Sequence, residues 1–291
     1  MAEFLQILAS GLTVGAIYAL IGIGFSMIYN TSDIINFAQG EFVMIGGMSA
    51  VALSAGGAMP LVLAVPAAVA ITVAAGLAVE RLAIEPVRHS SLVTLIIITI
   101  GISITIRGAV EILLGKNFYR LTSFSGDVPV DIGGAQVTPQ AFWVVLSLLV
   151  VMAALAVFFN RTRLGKAMLA TAQNRLAAEL MGIDVKQILR LSFALSALLG
   201  ALAGVLTAPI TLTRYDVGIM LGLKGFCAAI LGGLGTATGA LAGGVLLGVT
   251  EAMAAGYVSS AYKDAVAFLL ILAVLIIKPS GLFGRRAVHR V

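Results

Sequence analysis

Charge is scarce in this chain: Asp, Glu, Lys and Arg fill 11% of its 291 positions, against 60% hydrophobic residues and a mean hydropathy of +1.10. Soluble proteins average roughly 25% charged residues to dress their surface, so a water-soluble globule is excluded. A single cysteine, Cys227, rules out an internal disulfide. The two histidines, His89 and His289, lie far apart without ligand spacing, so no metal centre is expected. No Gly-rich loop ends in Lys-Ser or Lys-Thr; "GKN" and "GKA" both fail that pattern. Paired carboxylates and a Cys–His pair are missing as well. No catalytic residue and no bound cofactor are therefore expected. The net charge of +5 does not point to nucleic acid, because basic loops on one side of a membrane explain it.

What is present is long apolar sequence. A helix needs roughly 20 apolar residues to cross about 30 Å of hydrocarbon. Stretches near 4–28, 36–55, 61–80, 92–114, 140–160, 190–210, 237–256 and 263–278 meet that need. "IMLGLKGFCAAILGG", from Ile219 to Gly233, is apolar but only about 22 Å long as a helix. Counting it gives about nine segments, with bounds of eight and ten. The fold class expected is an all-α polytopic membrane protein, one transmembrane domain over 1–291. The N-terminal "MAEFLQ" has no basic start, so the first apolar stretch reads as a retained span. With the N-terminus outside, twelve Lys and Arg residues fall inside and four outside. The inside set comprises Arg81, Arg88, the six of the 160–190 segment, Lys278, Arg285, Arg286 and Arg290. The largest outside loop, Lys116–Gln140, carries Gly133-Gly134 between alternating Val and Ile, the pattern of a small hairpin or cover.

Two regions, within 1–115 and 190–280, share a plan: a long helix, a polar break with Asp33 or Asp216, then a helix reaching a Gly-Gly pair. An odd number of crossings between the copies inverts one against the other, with interrupted helices at their junction. Gly11 and Gly15, Gly200 and Gly204, Gly244 and Gly248, and Gly235, Gly239 and Gly243 recur four apart, the spacing of close-packing helix faces.

Few polar residues fall within the spans. Asn36, Gln39 and Glu41, beside Gly40, read as lining a pathway or gate. Asp33 or Ser32 reads as an N-cap for the second helix. Arg107 and Glu111, four apart, are expected to pair locally. Lys224 and Glu251 are expected to snorkel outward. Acids are thus expected near the membrane boundaries.

One basic segment, "NRTRLGKAMLATAQNRLAAELMGIDVKQILR" (Asn160–Arg190), holds six of the eighteen Lys and Arg residues. Within it Ala172, Leu176 and Leu180 recur every four residues, a short amphipathic helix closed by Gly182. Its apolar face is Ala and Leu without Trp or Phe, which suits docking into another protein better than anchoring in lipid.

"LAAELMG" (Leu176–Gly182) resembles the cytoplasmic Ala-Ala-x-x-x-Gly signature of ABC importer permeases, here Ala177, Ala178 and Gly182. Leu176 replaces the signature's opening Glu, and its Ile-x-Leu-Pro tail is absent, which sets the chain apart from sugar and oligopeptide permeases. "NFAQGEF", "LGKAMLATAQN", "LKGFCAAILGGLGTATGALAGG" and "YKDAVAFLLILAVLIIKPSGLFG" together resemble the branched-chain amino-acid ABC permeases, in their shorter, LivH-like branch. The resemblance implies an inner-membrane permease subunit paired with a second permease. It further implies two cytoplasmic ATPases carrying ATP and Mg, and an extracytoplasmic binding protein. Gln173, Asn174, Arg175, Ala177, Ala178 and Gly182 would then form the helix seated in an ATPase, and a bulky residue at Ala178 is expected to uncouple transport. Urea or short amides as cargo, an ion-coupled secondary transporter and a membrane scaffold remain the alternatives.

Overall fold

A computed structural model describes residues 2–88 and 90–284 of the chain. His89, Arg285, Arg286, His289 and Arg290 lie outside the described residues. Long helices dominate, because runs of Ala, Leu, Val and Ile in a medium without water satisfy their backbone groups only within a helix or a closed barrel. In order they are α1 (Ala2–Ser32), α2 (Gln39–Ser54), α3 (Leu61–Val79), α4 (Leu92–Leu114), α5 (Pro139–Arg161), α6 (Arg163–Gln173), α7 (Arg175–Leu180), α8 (Val185–Thr207), α9 (Val217–Gly232), α10 (Ala237–Tyr257) and α11 (Lys263–Ile277). Among the described residues eight helices are long and apolar enough to cross a membrane. The ninth segment of the sequence count is α9, a 16-residue helix too short to count with them. The outside loop does fold into a hairpin. Strands β1 (Val130–Ile132) and β2 (Ala135–Val137) pair Val130 with Val137 across Gly133-Gly134, both at positive φ, as a two-residue turn requires.

The contacts between helices match in pairs. α1 lies against α9 and α10, as α8 lies against α2 and α3; α2 packs on α3 as α9 packs on α10. At the centre α1 meets α8 and α2 meets α9. Each copy's first helix is therefore held by the other copy, and the two halves cannot be pulled apart without opening the core. The glycine spacings make this possible. A Cβ on Gly248 of α10 would sit 2.3 Å from the Gly15 Cα of α1, so the two backbones touch. The outer helices α4, α5 and α11 instead turn Ile112, Leu149 and Ile277 outward, as a lipid-facing layer does.

The ends of the bundle sort into two faces. Asn30 Nδ2 donates to the Gly235 carbonyl at 2.6 Å, and Arg190 Nη2 to Glu85 Oε2 at 2.9 Å, on the face that carries α6 and α7. On the opposite face Tyr119 pairs with Thr213, and Gly134 approaches Ala2.

Asp33 does not cap α2. It follows α1 at φ 56°, and α2 begins only at Gln39, with no side-chain cap. The chain turns back on itself over 33–38 before the second helix starts.

Candidate functional site

The two interrupted helices begin at mid-depth. Gln39 Nε2 donates to the Ser196 carbonyl at 3.1 Å, and the single Ser196 hydroxyl proton is shared between Gln39 Oε1, 2.5 Å away, and the Gly24 carbonyl, 2.8 Å away. Ser196 is the middle residue of the 23-residue α8. Ser103, the middle residue of the 23-residue α4, donates to Glu41 Oε1 at 2.7 Å. Gly40 and Gly218 face each other beside them: a Cβ on Gly40 would lie 2.1 Å from the Gly218 carbonyl oxygen, and one on Gly218 would lie 2.4 Å from that of Gly40. The starts of α2 and α9 thus cross backbone to backbone in the middle of the bundle.

All three polar residues singled out at the start of the second helix are buried there. Asn36 folds its Oδ1 onto the Ala38 N–H at 3.1 Å and leaves Nδ2 without a partner. Gln39 is spent on α8. Glu41 is 1% exposed, and its Oε2 has no hydrogen-bond partner. It opens on a cleft of about 240 Å³ lined by Phe25, Phe37, Phe226, Ser103 and Arg107, with Gly218 and Gly222 at its back. Arg107 pairs with Glu41 at 3.9 Å and not with Glu111, which turns to Lys116 at 2.8 Å. The four-residue spacing permitted a local pair; the chain's return over 33–38 supplied a nearer carboxylate to Arg107. Lys116, outside the span, has its pKa raised by the hydrogen bond to Glu111.

Lys224 and Glu251 do not snorkel. Both are buried, with Lys224 Nζ 2.7 Å from Glu251 Oε1 and 2.6 Å from Asp264 Oδ1, while the Tyr18 hydroxyl donates to Glu251 Oε2 at 2.9 Å. One ammonium ties α1, α9, α10 and α11 together. Charges separated by 27 and 40 positions gave no local spacing to read, so the cluster was invisible in the sequence. Of the acids in the spans, Glu41 lies level with the middle residue of α4, contrary to expectation, whereas Asp264 stands in the first turn of α11. Near the outer end of this group Arg214 forms a two-pronged pair with Asp216 and lies 4.6 Å from the centre of the Phe118 ring. The bond to Asp216 holds the Arg214 pKa above its usual value.

The basic segment folds as two short helices where one was expected. Asn174 breaks them: its Oδ1 accepts from the Ala177 N–H at 2.9 Å and caps α7. At the other end Gly182, at φ 83°, lets its own N–H reach the Glu179 carbonyl and that of Ile183 reach Ala178, both at 3.0 Å. This pattern closes a helix with its last carbonyls satisfied. Leu176, Leu180 and Met181 are 67%, 80% and 83% exposed, an apolar edge beside Arg175 and Gln173. Ala177 is exposed too, but Ala178 is buried within the chain. A bulky residue at Ala178 would push α7 off its own seat, so Leu180 is the cleaner position at which to probe a partner. In the second turn of α8, Arg190 binds Glu85 and approaches Glu80 Oε2 at 3.5 Å, which rivets α8 to the turns that follow α3. Among the described residues no group of His, Cys, Asp and Glu could hold a metal ion.

Comparison with known proteins gives a consistent picture. The family described as branched-chain amino acid transport system / permease component matches residues 7–275. The high-affinity branched-chain amino acid transport system permease protein LivH of Salmonella typhimurium is 38% identical over 304 residues, covering 99% of this chain and 98% of that protein. BraD of Pseudomonas aeruginosa, named as a permease protein of the same kind of system, is 36% identical over 309 residues with the same coverage. Among solved structures PsaBC from Streptococcus pneumoniae, in complex with Fab, superposes with a TM-score of 0.51 at 15% identity. That match covers 96% of this chain and 93% of the other, and it shows a shared fold.

Proposed function

The chain belongs to the branched-chain amino acid transport system permease family, and on that premise we propose that it is the transmembrane subunit of an ATP-driven importer of branched-chain or related amino acids. The observation that carries this is kinship along almost the whole chain to permeases of that system. The protein is a multi-pass inner-membrane permease and not an enzyme. ATP and Mg belong to two cytoplasmic ATPase subunits, and an extracytoplasmic binding protein delivers the solute. A second, different permease completes the membrane unit.

In this reading α7 and its flanks, Gln173, Asn174, Arg175, Ala177, Ala178 and Gly182, take up the movement of the ATPases. The exposed Leu176, Leu180 and Met181 provide the apolar edge that docks, and the buried Ala178 holds the helix on its own bundle. The Arg190–Glu85 pair, at the start of the following helix α8, passes displacement towards α3. Asn36, Gln39 and Glu41 border the route through the bundle. Kinship sets the ion-coupled reading aside; the placement of acids does not, since Glu41 and the Lys224 cluster are buried within the bundle.

Reconstituting the permease in proteoliposomes with its ATPases, second permease and binding protein tests the proposal. Leucine uptake should need internal-face ATP and ignore ion gradients. Leu180→Asp should leave the bundle folded and abolish stimulation of ATP hydrolysis by the loaded binding protein. Accumulation of leucine by the permease alone, on an ion gradient, would overturn the reading.

A further inference from the structure

Resting on the amino-acid importer reading, we propose that the cleft between α1, α2, α4 and α9 is a transit site for one zwitterionic amino acid, with Glu41 receiving its α-ammonium group. The argument starts from an unmet bond. Glu41 lines the cleft yet is 1% exposed; its Oε1 is taken by Ser103, and its Oε2 is buried without a partner. A carboxylate held away from water in this way is costly until a donor reaches it. Arg107 is not that donor: it approaches Glu41 at Oε1, and at 3.9 Å is beyond hydrogen-bond length even there.

The surroundings select the ligand. A bare cation would meet one carboxylate and one hydroxyl beside a guanidinium, too few oxygens for a hard metal ion and too much positive charge nearby. An anion would meet Glu41. A molecule with both charges meets both needs, its ammonium on Glu41 and its carboxylate towards Arg107 and the start of α9. α2 and α9 both begin here, so two helix dipoles add to the pull on negative charge. Gly218 and Gly222 line the cleft and admit the Gly40 backbone of α2 beside it. The apolar part of the solute has a wall of rings: Phe226 stands 5.4 Å from Phe25 and 5.6 Å from Phe37, centre to centre. A volume of about 240 Å³ holds a single small solute and lies below the roughly 300–1,000 Å³ typical of pockets for larger ligands. Urea and short amides carry neither charge and would leave Glu41 and Arg107 unanswered.

The test uses the intact importer in proteoliposomes with its binding protein. Glu41→Gln should lower leucine uptake by roughly tenfold or more, the factor for losing a hydrogen bond to a charged group, while ATP hydrolysis stimulated by the loaded binding protein persists. Glu41→Asp should recover part of the uptake. Independently of those variants, Ile219→Cys places a thiol on the cleft wall. Leucine should slow its alkylation by a maleimide, isoamylamine should slow it less, and isocaproate, which lacks the ammonium, should not slow it. Wild-type uptake of leucine matched by Glu41→Gln, or alkylation slowed by sodium ions and not by leucine, would overturn the site and leave the importer standing. Failure of the wild-type complex to import leucine at all would overturn the importer reading and the site with it.

Discussion

The breaks between α1 and α2 and between α8 and α9 are the same device built twice, and they differ in one respect. Both bring a short, uncapped helix to mid-depth, and both put a glycine there, Gly40 in one and Gly218 in the other, each filling the space the other leaves. Around that common geometry the first break sets Asn36, Gln39 and Glu41, all buried, two of them with an unmet polar atom. The second break closes its charges on each other: Arg214 on Asp216, and Lys224 on Glu251 and Asp264. The backbone plan needs both copies alike. The chemistry resides in their difference, an open carboxylate on one side and saturated ion pairs on the other.

The saturated side should break hardest. Lys224→Met leaves Glu251 and Asp264 buried without their cation, and thermal unfolding in detergent should report a loss of about 3–5 kcal/mol, the usual cost of breaking a buried pair from one side. Adding Glu251→Met should recover a large part of it; no recovery would mean the cluster is not held by that pair. The shared geometry comes next. Gly40→Ala and Gly218→Ala should each cost roughly 1–3 kcal/mol through overpacking, and by similar amounts. A large effect at one and none at the other would refute the symmetric crossing. Glu41→Gln should leave the unfolding temperature unchanged or higher, because it removes a buried charge of which the bundle satisfies only one oxygen. A fall as large as that of Lys224→Met would make Glu41 a structural residue. Smallest of all, Arg214→Gln should change stability by about 1 kcal/mol or less and lose even that in high salt, as expected of a partly exposed pair.

Much of this was legible beforehand for physical reasons. Length and hydropathy locate spanning helices because the bilayer has a fixed thickness, and small residues four apart mark close helix contacts because only they let backbones meet. Gly15 against Gly248 is such a contact. The hairpin at Gly133-Gly134 was readable because positive φ at two successive residues asks for glycine. Two local rules misled. Four-residue spacing proposed Arg107 with Glu111, and proximity to a helix end proposed Lys224 at the interface. Each lost to a partner brought from afar in the chain, Glu41 in one case and Glu251 in the other. The basic segment was read as one helix because its apolar repeat runs on through Asn174, whose side chain nevertheless caps a new one.

By itself the sequence determined that this is a bundle of apolar helices with a basic connection on one side, since partition between lipid and water acts on composition and on stretches of about 20 residues. It also carried the kinship. Only the tertiary structure decided how deep the breaks lie, which charges meet, and which face of α7 stays open. Those depend on contacts between residues tens to hundreds of positions apart, where burial makes each unmet polar group costly and so decides which partners must meet.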